Sequence, residues 1–118
     1  MQSEDKLQSE CYLWFHETFP EYRGLLCYNL NNSRNRIRAS MDKAMGLQKG
    51  RSDMVLYWNG TAYHIELKVA GGTQSKDQKK WQQAIKNAGF DYVIVRSLLD
   101  FMDYINGIIF TRTEDAKV

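Results

Sequence analysis

The dipeptide Asn59-Gly60 limits what this chain can become more than any other feature. It sits between two β-rich runs, DMVLYW and TAYHIELK, and it best satisfies a two-residue type I′ turn, in which both central residues need φ > 0. The turn fixes the register by counting. Trp58 faces Thr61, Tyr57 faces Ala62, and at the far end Asp53 faces Glu66. Residues directly opposite on an antiparallel pair have Cβ atoms roughly 4.5–5.5 Å apart. Two carboxylates held that close repel each other unless a cation lies between them. Lys68 shares the face of Glu66, because strand side chains alternate. One hairpin thus presents Asp53, Glu66 and Lys68 together, a pattern that suits a divalent-metal site with a cationic helper. Hydrolysis of a phosphodiester is the chemistry it suggests. The bland alternative is a surface Glu66–Lys68 salt bridge worth about 0–1 kcal/mol. Asp53 argues against it, since like charges directly opposite in a sheet are unfavourable without a function.

The remaining chain supplies a scaffold for that hairpin. Ser3 is placed to cap a helix over about Glu4–Thr18, with Leu7, Cys11, Trp14 and Phe15 at helical spacing and Pro20 beyond its end. A strand is expected from Gly24 to Leu30, a loop from Asn31 to Arg36, and a short basic helix from about Ile37 to Met45, stopped by Gly46. Gly71-Gly72 ends the second hairpin strand. Ser75 with Gln78 three residues on forms a capping box and opens a helix to about Ala88, followed by Gly89. Tyr92–Val95 reads as an apolar strand, and a last helix runs to about Ile105, with a frayed polar tail over 111–118. Strand, helix, strand across Ala62 to Val95 is a βαβ crossover, so the last strand lies parallel to the Glu66 strand. The expected fold is α/β, a small mixed sheet of hairpin plus parallel strand flanked by helices, in a single domain over 1–118. Met54, Leu56, Trp58, Tyr63, Ile65 and Leu67 share the face opposite the acids and form the core. His64, on the acidic face, is expected to be a partly exposed sheet residue.

Charge distribution adds to this. The net charge of +2 is too small to imply a polyanionic partner. Its placement is more informative, with Arg34, Arg36, Arg38, Lys43, Lys49 and Arg51 in one stretch against the single acid Asp42, and Lys76, Lys79 and Lys80 soon after the hairpin. Basic segments on either side of paired carboxylates suit a polyanionic substrate such as nucleic acid, with Arg34, Arg36, Arg38, Lys49 and Arg51 as candidate phosphate contacts, and the bland alternative is a solvated face. No apolar run reaches the length of a membrane span, and MQSEDKLQSE has no signal-peptide pattern. Two cysteines, Cys11 and Cys27, make neither a disulfide framework nor a zinc site. They are expected to be buried apolar residues in a reducing cytoplasm.

Within the constellation, Asp53 and Glu66 each offer an oxygen to Mg²⁺ or Mn²⁺, and the backbone carbonyl of Leu67 is a third ligand candidate. Lys68 is placed to orient a hydroxide or to neutralise charge in the transition state. Gln78 either reaches the same end of the sheet or serves only its capping box. Glu10, on the flank of the first helix's apolar stripe, either snorkels to water or points into the site as a further acid.

Gly50-Arg51-Ser52-Asp53, Ile65-Glu66-Leu67-Lys68, Ser75-Lys76-Asp77-Gln78 and Tyr92-Val93-Ile94-Val95-Arg96-Ser97 together resemble the VRR-NUC domain of the PD-(D/E)XK nuclease superfamily, in the stand-alone form found in phages and bacteria. The resemblance spans nearly the whole chain. It implies a restriction-endonuclease-like fold and a magnesium- or manganese-dependent DNA endonuclease in the bacterial cytoplasm, with a site matching Glu10, Asp53, Glu66, Lys68 and Gln78. Asn31 corresponds approximately to an asparagine preceding the basic helix. Ser52 stands where the family usually has proline, which removes a rigid φ and no ligand. Small single-domain members resemble Holliday-junction resolvases, so branched DNA and a homodimer are expected. Flaps, forks or foreign duplex DNA would be served by the same residues. A non-catalytic DNA-binding module on this fold would be expected to have lost one of Asp53, Glu66 and Lys68.

Overall fold

The computed structural model describes residues 2–29 and 36–117. The hairpin forms as counted. β2 (Met54–Trp58) and β3 (Thr61–Leu67) pair antiparallel with Trp58 opposite Thr61 and Met54 opposite Ile65. Asn59 has φ 52° and Gly60 φ 83°, the two positive values a type I′ turn requires. Continued by one residue, this register places Asp53, just before β2, opposite Glu66.

β1 (Leu26–Tyr28) adds antiparallel to β2, and β4 (Asp91–Val95) adds parallel to β3, with Glu66 beside Ile94 and Leu67 beside Val95. The sheet order is β1-β2-β3-β4. The crossover helix α3 (Lys76–Asn87) starts at a complete capping box, in which Ser75 and Gln78 exchange hydrogen bonds, and ends before Gly89 at φ 93°.

One face of the sheet carries the core. Met54, Leu56, Tyr63, Ile65, Leu67 and Val95 meet Leu7, Cys11 and Phe15 of α1 (Glu4–Thr18) and Phe101, Ile105, Ile108 and Ile109 of α4 (Leu98–Lys117). Trp58 packs at the edge of this cluster against Tyr22, with ring centroids 4.6 Å apart. Ser3 caps α1 by accepting the Lys6 N–H at 3.1 Å. The other face is covered by α3. Ser52, Val55, His64, Glu66 and Lys68 are buried there, with Ile85 of α3. α2 (Arg36–Ala44) follows β1 and precedes the loop that leads into Asp53.

Several expectations are corrected. α4 continues to Lys117 instead of stopping near Ile105, because Ile108 and Ile109 extend the stripe of Phe101 and Ile105 through another turn and no proline intervenes. Cys27 is exposed, since β1 is a three-residue edge strand and α3 packs on β4 at the far side of the sheet. Cys11 is buried, and burial pushes its thiol up to about 12. His64 is buried, only 9% exposed. It lies between strands with Trp81, Phe90 and Tyr92 around its ring, a surrounding that alternation along β3 alone does not disclose.

Candidate active site

Asp53 is held from two sides. Its carbonyl accepts the backbone N–H of Asn29 at 2.9 Å, and the Asn29 side-chain amide donates to the Ser52 carbonyl at 2.9 Å. The end of β1 therefore fixes the backbone that carries the acid. Its carboxylate accepts the Leu67 N–H through Oδ2 at 2.6 Å. This is the bond a backbone partner would have made had the ladder continued, and it turns Asp53 across the sheet towards Glu66. In an extended strand the N–H and C=O of one residue point to the same side, so the Leu67 carbonyl faces the Asp53 edge as well.

Glu66 is fully buried. Its Oε1 accepts two bonds, from the Tyr92 hydroxyl at 2.5 Å and from Gln74 Nε2 at 3.1 Å, and Gln74 also donates to Gln82 Oε1 at 2.7 Å. Its Oε2 is buried and has no hydrogen-bond partner. An ionised oxygen out of water without a donor is costly, by about 1–3 kcal/mol or more. The Tyr92 hydroxyl is pushed far above its usual range, first by burial and then by its bond to Glu66 and by the charges of Glu66 and Asp53, so it remains a donor.

The electrostatics single out the acidic pair. The Asp53 carboxyl is pushed up to about 6, mainly by burial, with repulsion from Glu66 and then Glu4 adding to it. The Leu67 N–H and the Lys68 ammonium pull the other way without prevailing. Lys68 is 7% exposed, so the surface salt bridge is excluded as an account of it. The fit to a divalent ion can be judged on this geometry. Two carboxylates, one with an unpartnered buried oxygen, beside a backbone carbonyl form an all-oxygen donor set of the kind Mg²⁺ and Mn²⁺ accept, with water and phosphate completing the shell. Among the described residues no group of three or more His, Cys, Asp or Glu side chains comes together, so the protein's share of any such shell is small.

The other residues singled out in the sequence lie as follows. Gln78 is in the first turn of α3, where its Oε1 accepts the Ser75 N–H at 2.8 Å and is thereby engaged. The glutamine that reaches Glu66 is Gln74, in the loop before that helix. Glu10 is half-buried and accepts from Gln2 at 3.3 Å. Its charge registers on the neighbouring Cys11 thiol. The α1 acid whose charge registers on Asp53 is Glu4. Glu4 precedes Leu7 and Cys11 by three and seven residues, so it continues their stripe, and that spacing was the signal available for it. Arg38 pairs with Asp42 at 3.5 Å on α2, and Lys49 lines a cleft beside that helix. Arg51 is half-buried, and its charge helps to lower His64, although burial does more. Arg36 lies at the start of α2, while Asn31 and Arg34 lie outside the described residues.

Ser52, Gln74, Gln82 and Tyr92 were not anticipated. Ser52 is fully buried, and its Oγ lies 3.0 Å from His64 Nδ1. A depressed imidazole pKa leaves that ring free to accept from the hydroxyl. Tyr92 could have been found by extending the register to β4, since residues 64 and 92 are parallel partners. Gln74 lies in a loop, where no periodicity points to it.

The family model of the VRR-NUC domain matches residues 2–98, from the start of α1 to the start of α4. A solved structure described as a "VRR_NUC domain protein" superposes with a TM-score of 0.71 at 17% identity, covering 92% of this chain and 89% of that one, and the likeness is one of fold. No curated protein matches the chain.

Proposed function

The chain belongs to the VRR-NUC domain family, a nuclease-type domain, and from that premise we propose that it is a metal-dependent endonuclease that hydrolyses phosphodiester bonds in branched DNA such as Holliday junctions. The observation that carries the reading is Glu66 Oε2, buried without a partner beside a second carboxylate. Asp53, Glu66 and the Leu67 carbonyl are the groups that would hold the ion. When bound, Mg²⁺ or Mn²⁺ supplies Lewis acidity at the phosphate and a water of lowered pKa.

The chain's own residues do the rest. Tyr92 and Gln74 occupy one oxygen of Glu66, which leaves the other free to hold the ion. The Leu67 N–H does the same for Asp53, taking Oδ2 and leaving Oδ1. Lys68, nearly enclosed, brings a positive charge to the carboxylate cluster, where it stabilises the added negative charge of a pentacovalent phosphorus. Glu10 belongs to the reading as a further acid, and Gln78, whose Oε1 is engaged by the Ser75 N–H, keeps its amide group for water or phosphate. Arg34, Arg36, Arg38, Lys49, Arg51 and Asn31 hold the DNA backbone.

A homodimer is part of the proposal. A four-way junction presents two symmetric strands, and two copies related by a two-fold axis would meet both. The test is a cleavage assay with Mg²⁺ or Mn²⁺ on four-way junctions, flaps, forks and linear duplex. Glu66→Gln is expected to abolish cleavage and to leave DNA binding nearly intact. Paired symmetric cuts on the junction support the dimer. Preferred cutting of flaps, forks or plain duplex would replace the substrate assignment, and undiminished cleavage by the variant would remove the site assignment.

A further inference from the structure

A cleft of about 780 Å³ separates α2 from α3. Its α3 wall is one helical face, Asp77, Lys80, Trp81 and Ala84, at spacings of three, one and three residues. The opposite wall carries Lys43, and Leu47 and Lys49 close the end. Three ammonium groups therefore surround an aromatic floor with one carboxylate among them. Among the described residues no acid forms an ion pair with any of the three lysines.

The core does not account for α2. Its side chains described from Arg38 onward include none that is buried, and Met41 is 54% exposed. The loop between α2 and Asp53 is packed against α3. Gly50, at φ 79°, packs so closely on the first turn of α3 that a Cβ would lie 2.5 Å from the Asp77 carbonyl carbon. That contact seats the cleft floor against the loop leading to the acidic pair. Trp81 lies 6.3 Å, ring to ring, from His64, which is two residues before Glu66 on the same sheet face. The floor of the cleft thus lies against the sheet face that carries the candidate active site.

Its size is that of clefts that take one small molecule, roughly 300–1000 Å³, and a duplex cannot enter it. An aromatic platform ringed by cations is the arrangement that holds single-stranded nucleic acid, with the base against the ring and phosphates at the rim. We propose that this cleft binds an unpaired nucleotide of the DNA, its base against Trp81 and its flanking phosphates at Lys43, Lys49 and Lys80. The inference rests on the nuclease reading and narrows its substrate to DNA with a single-stranded segment or an extruded base next to the cut.

The test measures binding of a labelled tetrathymidylate and of a blunt duplex, both without divalent metal so that nothing is cleaved. Trp81→Leu is expected to weaken the oligonucleotide by about 5- to 150-fold, the equivalent of 1–3 kcal/mol for one base–aromatic stack, and the duplex by less than about twofold. Trp81→Phe retains most of the affinity. Equal binding by Trp81→Leu and wild type, or equal loss for oligonucleotide and duplex, overturns the proposal. The exposed pair Lys43→Gln/Lys80→Gln leaves folding aside and flattens the salt dependence of oligonucleotide binding by about 1.4 in log–log slope, two contacts at about 0.7 each. An unchanged slope also overturns it. A wild-type protein that binds the oligonucleotide through Trp81 and yet cuts no DNA with Mn²⁺ would strike the nuclease reading and leave the cleft assigned.

Discussion

Replacing Asp53 by asparagine should make the metal-free protein more stable and the metal-loaded protein comparatively less so. Asparagine keeps an oxygen to accept the Leu67 N–H and removes the charge that burial and Glu66 disfavour. The carboxyl moves from 3.8 unfolded to about 6 folded, and each pH unit corresponds to 1.36 kcal/mol, so ionised Asp53 costs at most about 3 kcal/mol at neutral pH. Asp53 is half-buried, and solvent screening brings the expected gain to about 1–3 kcal/mol. At about 2.1 cal/mol/K per residue, unfolding of 118 residues has an entropy near 0.25 kcal/mol/K, so the variant's Tm should rise by about 4–12 °C in EDTA at pH 8. Manganese at about a hundred times its Kd should stabilise the wild type by about 2.7 kcal/mol and Asp53→Asn by much less. The pH dependence has a definite sign. Between 3.8 and about 6 native Asp53 holds a proton that the unfolded chain has released, so wild-type stability from this group falls as pH rises through that window and stays low above it. His64 acts oppositely, because its lowered pKa loses stability as pH falls below 6.5, but both proteins share it. The difference between wild type and variant, followed by thermal denaturation across pH 4–8, isolates Asp53. A variant no more stable than wild type in EDTA at pH 8 would mean that the buried charge of Asp53 does not destabilise the fold, and one that gains as much from manganese would mean that Asp53 does not hold the ion.

Tyr92→Phe removes one of the two donors at Glu66 Oε1 and should weaken manganese affinity by about 10- to 100-fold, as loss of an outer-shell partner does; calorimetric titration with Mn²⁺ checks this without any nuclease assay. Phe101→Ala empties a fully buried core position and should cost about 3–5 kcal/mol in urea unfolding with metal affinity per folded molecule unchanged. Gly50→Ala introduces a contact of 2.5 Å with backbone at a positive φ, so it should both destabilise the fold and lower DNA affinity, whereas Gly60→Ala, with open space around it, should affect stability alone.

The hairpin was legible because its register depends on two adjacent residues and on arithmetic, and the acids follow from it. The core face was legible for the same reason, since alternation in β2 and β3 separates Met54, Leu56, Ile65 and Leu67 from Asp53 and Glu66. What surrounds the acids was less so. Gln74 meets Glu66 from a loop eight residues later, where no periodicity points to it, and Tyr92 meets it from β4, 26 residues later, where only the parallel register would have found it. Gln78 drew attention because the capping box is a local pattern, and the structure shows its side chain engaged in that pattern. Glu10 stood out for its place on the flank of a stripe, while Glu4, at the stripe's exposed end, is the acid that Asp53 feels. The burial of His64 depended on α3 crossing over it, which alternation in one strand cannot register.

A crystal structure of the protein grown with Mn²⁺ would show whether Asp53 and Glu66 hold a divalent cation between them. An anomalous peak about 2.1 Å from an oxygen of each carboxylate is the predicted result. No peak there, with Asp53 and Glu66 rotated away from each other or bridged by a shared proton, would contradict it.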